Sequence, residues 1–267
     1  MRVALVSLNQ AWLDKGANKD QCAGYIAEAR GKSCDAVIFP EMTLSAYSMN
    51  TKEMAEPFDS SGTLKFFDKA SKDHSIDIVF RATFAEQNGS APSNALWLST
   101  QNKAPEVFYE KTHPFSFAGE ASCYKAGERL GLMRFAGMSF GAAICFDLRF
   151  PEIFSAMARD VDAFVVIANW PKKRIDHWFS LLKARAIENQ CYVIGVNRVG
   201  IDGNGIEYEK STVIFDPIGH KMIPVELGEI MDIYEINRNV VEKYRNEFPT
   251  IADKRYSFYQ HLYEDLR

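Results

Sequence analysis

Short apolar runs and amphipathic stretches alternate along this chain, and no long polar linker separates them. Some runs are continuously apolar and others alternate with polar residues, and these patterns are typical of fully buried and half-buried β-strands respectively. The predicted strands are Val3–Leu8, Ala36–Phe39, Ile76–Phe84, Ala95–Leu98, Val107–Tyr109, Met138–Ile144, Ala163–Ile167, Tyr192–Asn197, Ser211–Phe215 and Glu229–Ile236.

Four stretches between these strands carry apolar residues at helical spacing. The first begins at Asn18, whose side chain can cap a helix. Hairpin turns are predicted at residues 87–90 and 202–205, where Asn-Gly pairs supply positive φ. Strands that alternate with helices indicate an α/β fold in which helices cover the sheets. The predicted helices are Asn18–Ala29, Gly62–Lys72, Glu152–Arg159 and Ile175–Asn189.

Composition and charge narrow the function classes. The 267 residues are 47% hydrophobic and 25% charged, with a net charge of −4, which is ordinary for a globular protein. We therefore expect no nucleic-acid partner and no membrane partner. No apolar stretch is long enough to span a bilayer, and the alternating N-terminus is typical of a strand rather than a signal peptide. No glycine-rich phosphate loop is present.

The cysteines favour a reducing compartment. Their number is odd and none forms a CxxC pair, which fits a cytoplasmic protein better than a disulfide framework or a zinc site. Cys22 and Cys191 fall in apolar periodic segments, so core packing is favoured for both. The five are Cys22, Cys34, Cys123, Cys145 and Cys191.

Three reactive side chains each follow a predicted strand. Glu41 comes after Ala36–Phe39, Lys111 after Val107–Tyr109, and Cys145 directly after Met138–Ile144. Taken singly, they could be a solvated carboxylate, a surface lysine and a core cysteine. Taken together, they supply a base for the thiol proton, an ammonium for a developing oxyanion, and a nucleophile.

Extended motifs around these residues resemble the nitrilase superfamily of carbon–nitrogen hydrolases, over residues 2 to about 248. The motifs are Phe39-Pro-Glu41, Tyr109-Glu-Lys111-Thr-His113, Ile144-Cys-Phe-Asp-Leu-Arg-Phe-Pro-Glu152, Ala168-Asn-Trp-Pro171, Ala184-Arg-Ala-Ile-Glu-Asn-Gln190 and Val196-Asn-Arg-Val-Gly200. The last three, with Asp202-Gly-Asn-Gly205, look most like the bacterial ω-amidase branch. Members of that branch hydrolyse the terminal amide of short dicarboxylic monoamides such as 2-oxoglutaramate.

The resemblance implies a four-layer α-β-β-α sandwich. It implies one carbon–nitrogen hydrolase domain over residues 1–248, and a C-terminal extension over 249–267 that packs on this domain or on a dimer partner. It also implies a homodimer or higher homo-oligomer, a small amide substrate, and chemistry that needs no metal and no organic cofactor.

The resemblance also implies roles for individual residues. Glu41, Lys111 and Cys145 match the Glu-Lys-Cys catalytic set, and the backbone N–H of Phe146 would share the oxyanion with Lys111. Glu120 lies where the family has a fourth acidic residue near the lysine, although the motif around it is loose and a surface glutamate is the alternative.

Five further residues are candidates for the substrate pocket. For three of them a second interpretation stays open: a positioning role for His113, a turn-holding role rather than a substrate carboxylate contact for Arg149, and core packing for Trp170. The candidates are His113, Arg149, Asn169, Trp170 and Arg174.

The catalytic set does not by itself fix the substrate. In relatives it acts on nitriles, N-carbamoyl amines, ureido acids and amides, so an N-carbamoyl hydrolase or a nitrilase is the alternative to an ω-amidase. A catalytically silent binding module is a second alternative, and a redox-sensing cysteine protein is a third that gives Glu41 and Lys111 no role.

Overall fold

The computed structural model describes residues 1–85 and 91–265, so the turn predicted at residues 87–90 lies outside the described residues. Its strands are β1 (Arg2–Val6), β2 (Ala36–Ile38), β3 (Glu56–Pro57), β4 (Asp77–Ala82), β5 (Phe84–Ala85), β6 (Ala95–Thr100), β7 (Lys103–Glu110), β8 (Gly131–Phe135), β9 (Met138–Ile144), β10 (Ala163–Ala168), β11 (Tyr192–Asn197), β12 (Gly200–Ile201), β13 (Glu207–Tyr208), β14 (Val213–Phe215) and β15 (Met231–Glu235). Its α-helices are α1 (Lys15–Gly31), α2 (Thr51–Met54), α3 (Gly62–His74), α4 (Pro151–Met157), α5 (Ile175–Asn189), α6 (Arg238–Glu247) and α7 (Tyr256–Asp265).

Two large sheets form the centre of the fold. The six-stranded sheet has the order β15-β1-β2-β4-β6-β7, and the five-stranded sheet has the order β14-β11-β10-β9-β8. In each sheet three neighbouring strands are parallel, β1-β2-β4 and β9-β10-β11, and every other strand pairs antiparallel with its neighbour. The parallel strands are mostly apolar, because both of their faces are covered.

The sheets pack face to face and carry helices on their outer faces. Alternate residues of β1 point to opposite sides, so Val3 and Leu5 share a core with the five-stranded sheet, whereas Ala4 and Val6 share one with α1 and α3. On the other side, α4 and α5 cover the five-stranded sheet, where Trp178 is fully buried. The four layers are therefore the predicted α-β-β-α sandwich.

Several details differ from the sequence-based expectation, and helices α2, α6 and α7 were not among the predicted helices. Helix α1 begins earlier than predicted and is capped by Asp14, which accepts a hydrogen bond from the N–H of Ala17 at 2.9 Å, whereas Asn18 lies inside the helix. The amide of Asn18 instead donates to the carbonyl of Leu44 at 2.9 Å. Strand β8 was not predicted, although the Ala136-Gly137 turn that joins it to β9 has positive φ at both residues, as tight hairpins require.

The second predicted turn, at residues 202–205, joins the short strands β12 and β13. The loop between these strands extends to Ile206, and Gly205 has a φ of 76°. The N–H of Gly205 donates to the carbonyl of Asp202 at 3.0 Å, so the turn closes where the sequence places it.

The C-terminal segment lies on the α4–α5 layer. The ammonium of Lys254 donates to Ser155 of α4 and to Asn189 of α5, both at 2.9 Å, and the hydroxyl of Tyr263 donates to Glu152 at 3.1 Å. The division between a domain at 1–248 and an extension at 249–267 stays a prediction. Within the described ranges, no helix is both long and apolar enough to cross a membrane.

The contact between α5 and β11 depends on a glycine. A Cβ atom at Gly195 would lie 2.4 Å from Cδ1 of Leu182 and 2.9 Å from the ring of Trp178. We expect Gly195→Ala to lower the free energy of unfolding by about 1–3 kcal/mol through overpacking. Gly24 of α1 is exposed and has open space around it, so Gly24→Ala is the control and should raise stability by about 0.5–1 kcal/mol. Urea unfolding of both variants measures the difference, and equal stabilities would contradict this account.

Candidate active site

The ends of four strands deliver the polar residues of the site. Lys111 directly follows β7, Cys145 follows β9 and Asn169 follows β10, while Glu41 lies three residues after β2. These strands belong to both sheets, so the site forms where the carboxyl ends of the two sheets meet. Open α/β sheets place their ligands at such strand ends.

Cys145 lies in a strained turn that a carboxylate holds in place. Its φ is +49°, in the left-handed region, at the start of a 3₁₀ turn over Cys145–Arg149. The carboxylate of Asp147 accepts hydrogen bonds from the N–H of Ile144 at 2.9 Å, the hydroxyl of Tyr109 at 3.0 Å and the N–H of His113 at 2.9 Å. Asp147 therefore joins the cysteine turn to the strand that carries Lys111.

Lys111 lies between two buried carboxylates. Its Nζ is 3.1 Å from Oε1 of Glu41, and 3.0 and 2.7 Å from the two carboxylate oxygens of Glu120. All three side chains are fully buried. The structure thus brings Glu120 to Lys111, rather than to the surface loop that was the alternative for this residue.

Amide groups complete the hydrogen bonding of the carboxylates. Oε2 of Glu41 accepts from the backbone N–H of Asn169 at 3.1 Å, and the side-chain amide of Asn169 donates to the carbonyl of Glu41 at 2.7 Å. The amide of Asn94 donates to Oε1 of Glu41 at 2.9 Å and to Oε1 of Glu120 at 2.8 Å. Each carboxylate is therefore fixed by several donors.

Together, burial and neighbouring charges lower the pKa of Glu41 and raise the pKa values of Lys111 and Cys145. Burial raises the pKa of Glu41, but the charges of Lys111 and Arg81 and the hydrogen bond from Asn94 hold it below its ordinary value. Burial lowers the pKa of Lys111, but the two carboxylates outweigh this and hold it well above its ordinary value. Burial, followed by the charge of Glu41, raises the pKa of the Cys145 thiol well above its ordinary value. The resting site therefore holds a thiol, a carboxylate and an ammonium.

A cavity of about 160 Å³ opens in front of Cys145. The side chains of Glu41, Lys111 and Glu120 have no exposed surface and do not line the cavity, and Glu41 is hydrogen-bonded to the Cys145 thiol. Three cationic residues line the cavity: Arg149, Lys173 and Arg174. The remaining lining residues are Tyr47, Phe115, Phe117, Ala118, Phe146, Asn169, Trp170, Pro171, Ile206 and Tyr208.

Four of the five predicted pocket residues line this cavity, and His113 does not. His113 fits the positioning role better than a place in the pocket. Its Nδ1 lies 2.8 Å from Asp147, and its ring stacks on Phe150 at a centroid distance of 3.8 Å. These contacts hold the ring against the cysteine turn, as the alternative positioning role requires.

Trp170 is both a core residue and a residue of the cavity wall. It is 3% exposed and belongs to the core, yet it also lines the cavity. Its indole N–H donates to the carbonyl of Arg174 at 2.8 Å, and the guanidinium of Arg149 lies 5.0 Å from its ring centroid. The tryptophan thus supports both arginines at the cavity wall.

Sequence reasoning missed several residues of the site. Tyr47 and Tyr208 line the cavity, and Asn94 bridges the two carboxylates behind it. Tyr47 lies six residues after Glu41, and Asn94 lies directly before β6. These positions near Glu41 and near a strand are the only features of the sequence that could have indicated the two residues. Their side chains reach the site only through tertiary contacts.

Comparisons with known proteins agree with this geometry. Residues 2–246 match the family description "carbon-nitrogen hydrolase". An ω-amidase of Yersinia enterocolitica is 31% identical over 95% of this chain and 96% of its own length. A 2-oxoglutaramate amidase of Bacillus subtilis is 29% identical over 89% of this chain and 91% of its own length.

A solved structure shares the whole fold. A carbon–nitrogen hydrolase superfamily protein of Xanthomonas campestris, crystallised with an arsenic adduct in its active site, superposes with a TM-score of 0.88 and is 29% identical. The match covers 95% of this chain and 97% of that protein. The match over residues 2–246 and the shared fold lead to one conclusion: this chain belongs to the carbon–nitrogen hydrolase family.

Proposed function

We propose that this protein is a thiol-dependent amidase that hydrolyses the terminal amide of a short dicarboxylic monoamide, of the 2-oxoglutaramate or succinamate type, and releases ammonia. The observation that carries the proposal is Cys145 at the cavity wall, directly in front of the buried Glu41–Lys111–Glu120 cluster. Amide hydrolysis is also the activity named for the ω-amidase and 2-oxoglutaramate amidase relatives.

The first half of the reaction forms a thioester. Because the pKa of Cys145 is raised, the thiol keeps its proton until the substrate carbonyl is in place. Glu41 takes that proton as sulfur attacks the carbonyl carbon, and the carbonyl oxygen becomes an oxyanion held by Lys111 and the backbone N–H of Phe146. Glu41 then returns the proton to the amide nitrogen, the C–N bond breaks, and ammonia leaves.

The second half of the reaction releases the acid. Glu41 takes a proton from water as the water oxygen attacks the thioester carbonyl. The C–S bond breaks, the proton passes back to sulfur, and the dicarboxylic acid leaves. Glu120 keeps Lys111 charged and in place throughout, because it accepts two hydrogen bonds from the ammonium.

The positive charge of the cavity wall favours an anionic substrate. Arg149, Lys173 and Arg174 line it, and among the described residues none of the three forms an ion pair with a carboxylate. Burial, followed by the charge of Arg174, lowers the pKa of Arg149, which is the direction expected where two cations share a site. A carboxylate at the far end of the substrate would neutralise this wall.

We also propose a homodimer in the cytoplasm. Helix α7 lies on the α4–α5 layer and exposes Phe258, Tyr259 and Tyr263, and exposed aromatic side chains are typical of protein interfaces. All five cysteines are free, which suits a reducing compartment. Residues 249–267 would then form an extension between the 1–248 domain and the partner subunit.

The first test is ammonia release from 2-oxoglutaramate, succinamate, glutaramate and an N-carbamoyl amino acid. We expect turnover of the ω-amides, its loss in Cys145→Ala, and full activity in Cys123→Ala, which removes a cysteine outside the cavity. Cleavage of the N-carbamoyl compound alone would show that the protein is an N-carbamoyl hydrolase and not an amidase. Turnover that persists in Cys145→Ala would contradict the thioester route.

The pH dependence of kcat/KM tests the base. Glu41 must be ionised to accept the thiol proton, and its pKa lies below the ordinary value of 4.5. Activity should therefore stay constant as pH falls from 7 to about 5 and decline only where Glu41 becomes protonated. Glu41→Gln keeps the shape of the side chain but cannot accept a proton, so kcat should fall by about 10²–10⁴-fold. A Gln variant with wild-type kcat would remove Glu41 from the base role.

Substrate charge selectivity tests the cationic wall. Wild-type protein should prefer succinamate to the neutral butyramide, and Arg149→Gln should reduce that preference by roughly 10-fold or more, mainly through a higher KM for succinamate. Lys172→Gln removes a neighbouring charge that pairs with Glu207 outside the cavity, and it should leave the preference unchanged. An equal effect of both variants would indicate a general charge effect instead of a carboxylate contact.

A further inference from the structure

A buried arginine–asparagine pair lies behind the two carboxylates. Nε of Arg81 donates to Oδ1 of Asn94 at 2.7 Å, and Nδ2 of Asn94 donates to Glu41 at 2.9 Å and to Glu120 at 2.8 Å. Arg81 is 2% exposed and Asn94 is 1% exposed. Neither residue lines the cavity.

Arg81 fixes which way the Asn94 amide points. A guanidinium carries only donors, so the group of Asn94 that faces it must be the carbonyl oxygen. The NH₂ group must then face the opposite direction, where it gives one hydrogen to each carboxylate. Without Arg81 the amide oxygen loses the donor that fixes it, so only the two carboxylates would hold the amide in place.

The backbone of the same two residues holds the catalytic loops. The N–H of Lys111 donates to the carbonyl of Asn94 at 2.9 Å. The N–H of Arg81 donates to the hydroxyl of Thr43 at 3.0 Å, and that hydroxyl donates to the carbonyl of Pro40, one residue before Glu41. The pair therefore lies at the point where β4, the start of β6 and the Glu41 loop meet.

Arg81 also balances the charge of the cluster. Glu41 and Glu120 bring two negative charges into a volume without solvent, and Lys111 supplies one positive charge. Arg81 supplies a second positive charge, and its influence on Glu41 has the same sign as that of Lys111. The charged and titratable groups around Glu41 are Arg81 from β4, Lys111 after β7, Glu120 and Tyr47 from loops, and Cys145 after β9.

We propose that Arg81, acting through Asn94, is a positioning residue that keeps Glu41 ionised and directed at the Cys145 thiol. This inference rests on the proposed role of Glu41 as the base. It differs from a purely structural role for Arg81, which would support the fold but leave the ionisation of Glu41 unchanged.

The proposal predicts the direction in which the pH profile should shift when Arg81 is removed. Removing Arg81 leaves two carboxylates with one cation and releases the Asn94 amide, so Glu41 should bind a proton at higher pH. The acid limb of the pH profile of kcat/KM should therefore move to higher pH. Loss of stability alone would lower activity at every pH without moving that limb.

The test compares Arg81→Met, Arg81→Lys and Asn94→Ser with wild-type protein. We expect Arg81→Met to move the acid limb upward by about one pH unit or more and to lower the maximal kcat/KM by roughly 10-fold or more. Arg81→Lys keeps the charge and one donor, so most of the shift should be reversed. Asn94→Ser, which loses one of the two carboxylate contacts, should move the limb in the same direction and provides the readout if Arg81→Met does not fold.

Arg245→Met is the matched control. Arg245 donates to four backbone carbonyls in the segments that follow α4 and close α5, at Ala158, Val161, Asn189 and Gln190, and it does not line the cavity. Its loss should lower thermal stability and leave the acid limb in place. The acid limb is also measured as the rate of Cys145 alkylation by iodoacetamide, which requires a proton acceptor but no amide substrate.

An unmoved acid limb in Arg81→Met and Asn94→Ser, in folded protein, would overturn the inference while leaving the proposed amidase intact. Failure of wild-type protein to hydrolyse any amide would instead reject the proposed function. In that case a shifted alkylation profile would still support the positioning role of Arg81, and an unshifted one would reject it.

Discussion

The burial of two carboxylates beside one ammonium is the constraint on which the rest of the site depends. Ionised groups are expensive to remove from water unless each is paired and hydrogen-bonded. Glu41 and Glu120 meet this condition through Lys111 and Asn94, and Asn169 adds backbone and side-chain contacts to Glu41. The result is a group of charged side chains fixed by hydrogen bonds beside a neutral thiol, and such preorganisation is what stabilises a developing oxyanion.

The sandwich supplies the rigidity that this arrangement needs. Glu41, Lys111 and Cys145 come from strand ends of both sheets, so their distances depend on how the sheets pack. Asp147 links the turn of Cys145 to the strand before Lys111, and it holds the cysteine at a φ of +49°. A residue in this backbone region costs about 1–3 kcal/mol, which persists only where surrounding contacts fix it. Here the strain turns the thiol toward the cavity.

The sequence was informative where function depends on local pattern. Glu41, Lys111 and Cys145 follow strands that apolar runs predict, and the parallel strands of both sheets were identified with small errors at their ends. Asn94, Arg81 and Tyr47 could not be predicted, because their positions result from contacts between segments distant in sequence. The contact of His113 with Asp147 could not be predicted for the same reason, although a positioning role for His113 was one of the two interpretations. Strand β8 is short and half-exposed, so its pattern is weak.

The central claim is that the acyl group of the substrate passes through Cys145. Acid quenching during the first turnover of succinamate, followed by peptide mapping by mass spectrometry, tests it most directly. We expect a succinyl thioester on the peptide that contains Cys145, formed together with one equivalent of ammonia. Ammonia release from protein whose Cys145 is blocked by alkylation, or an acyl group on a different residue, would contradict it.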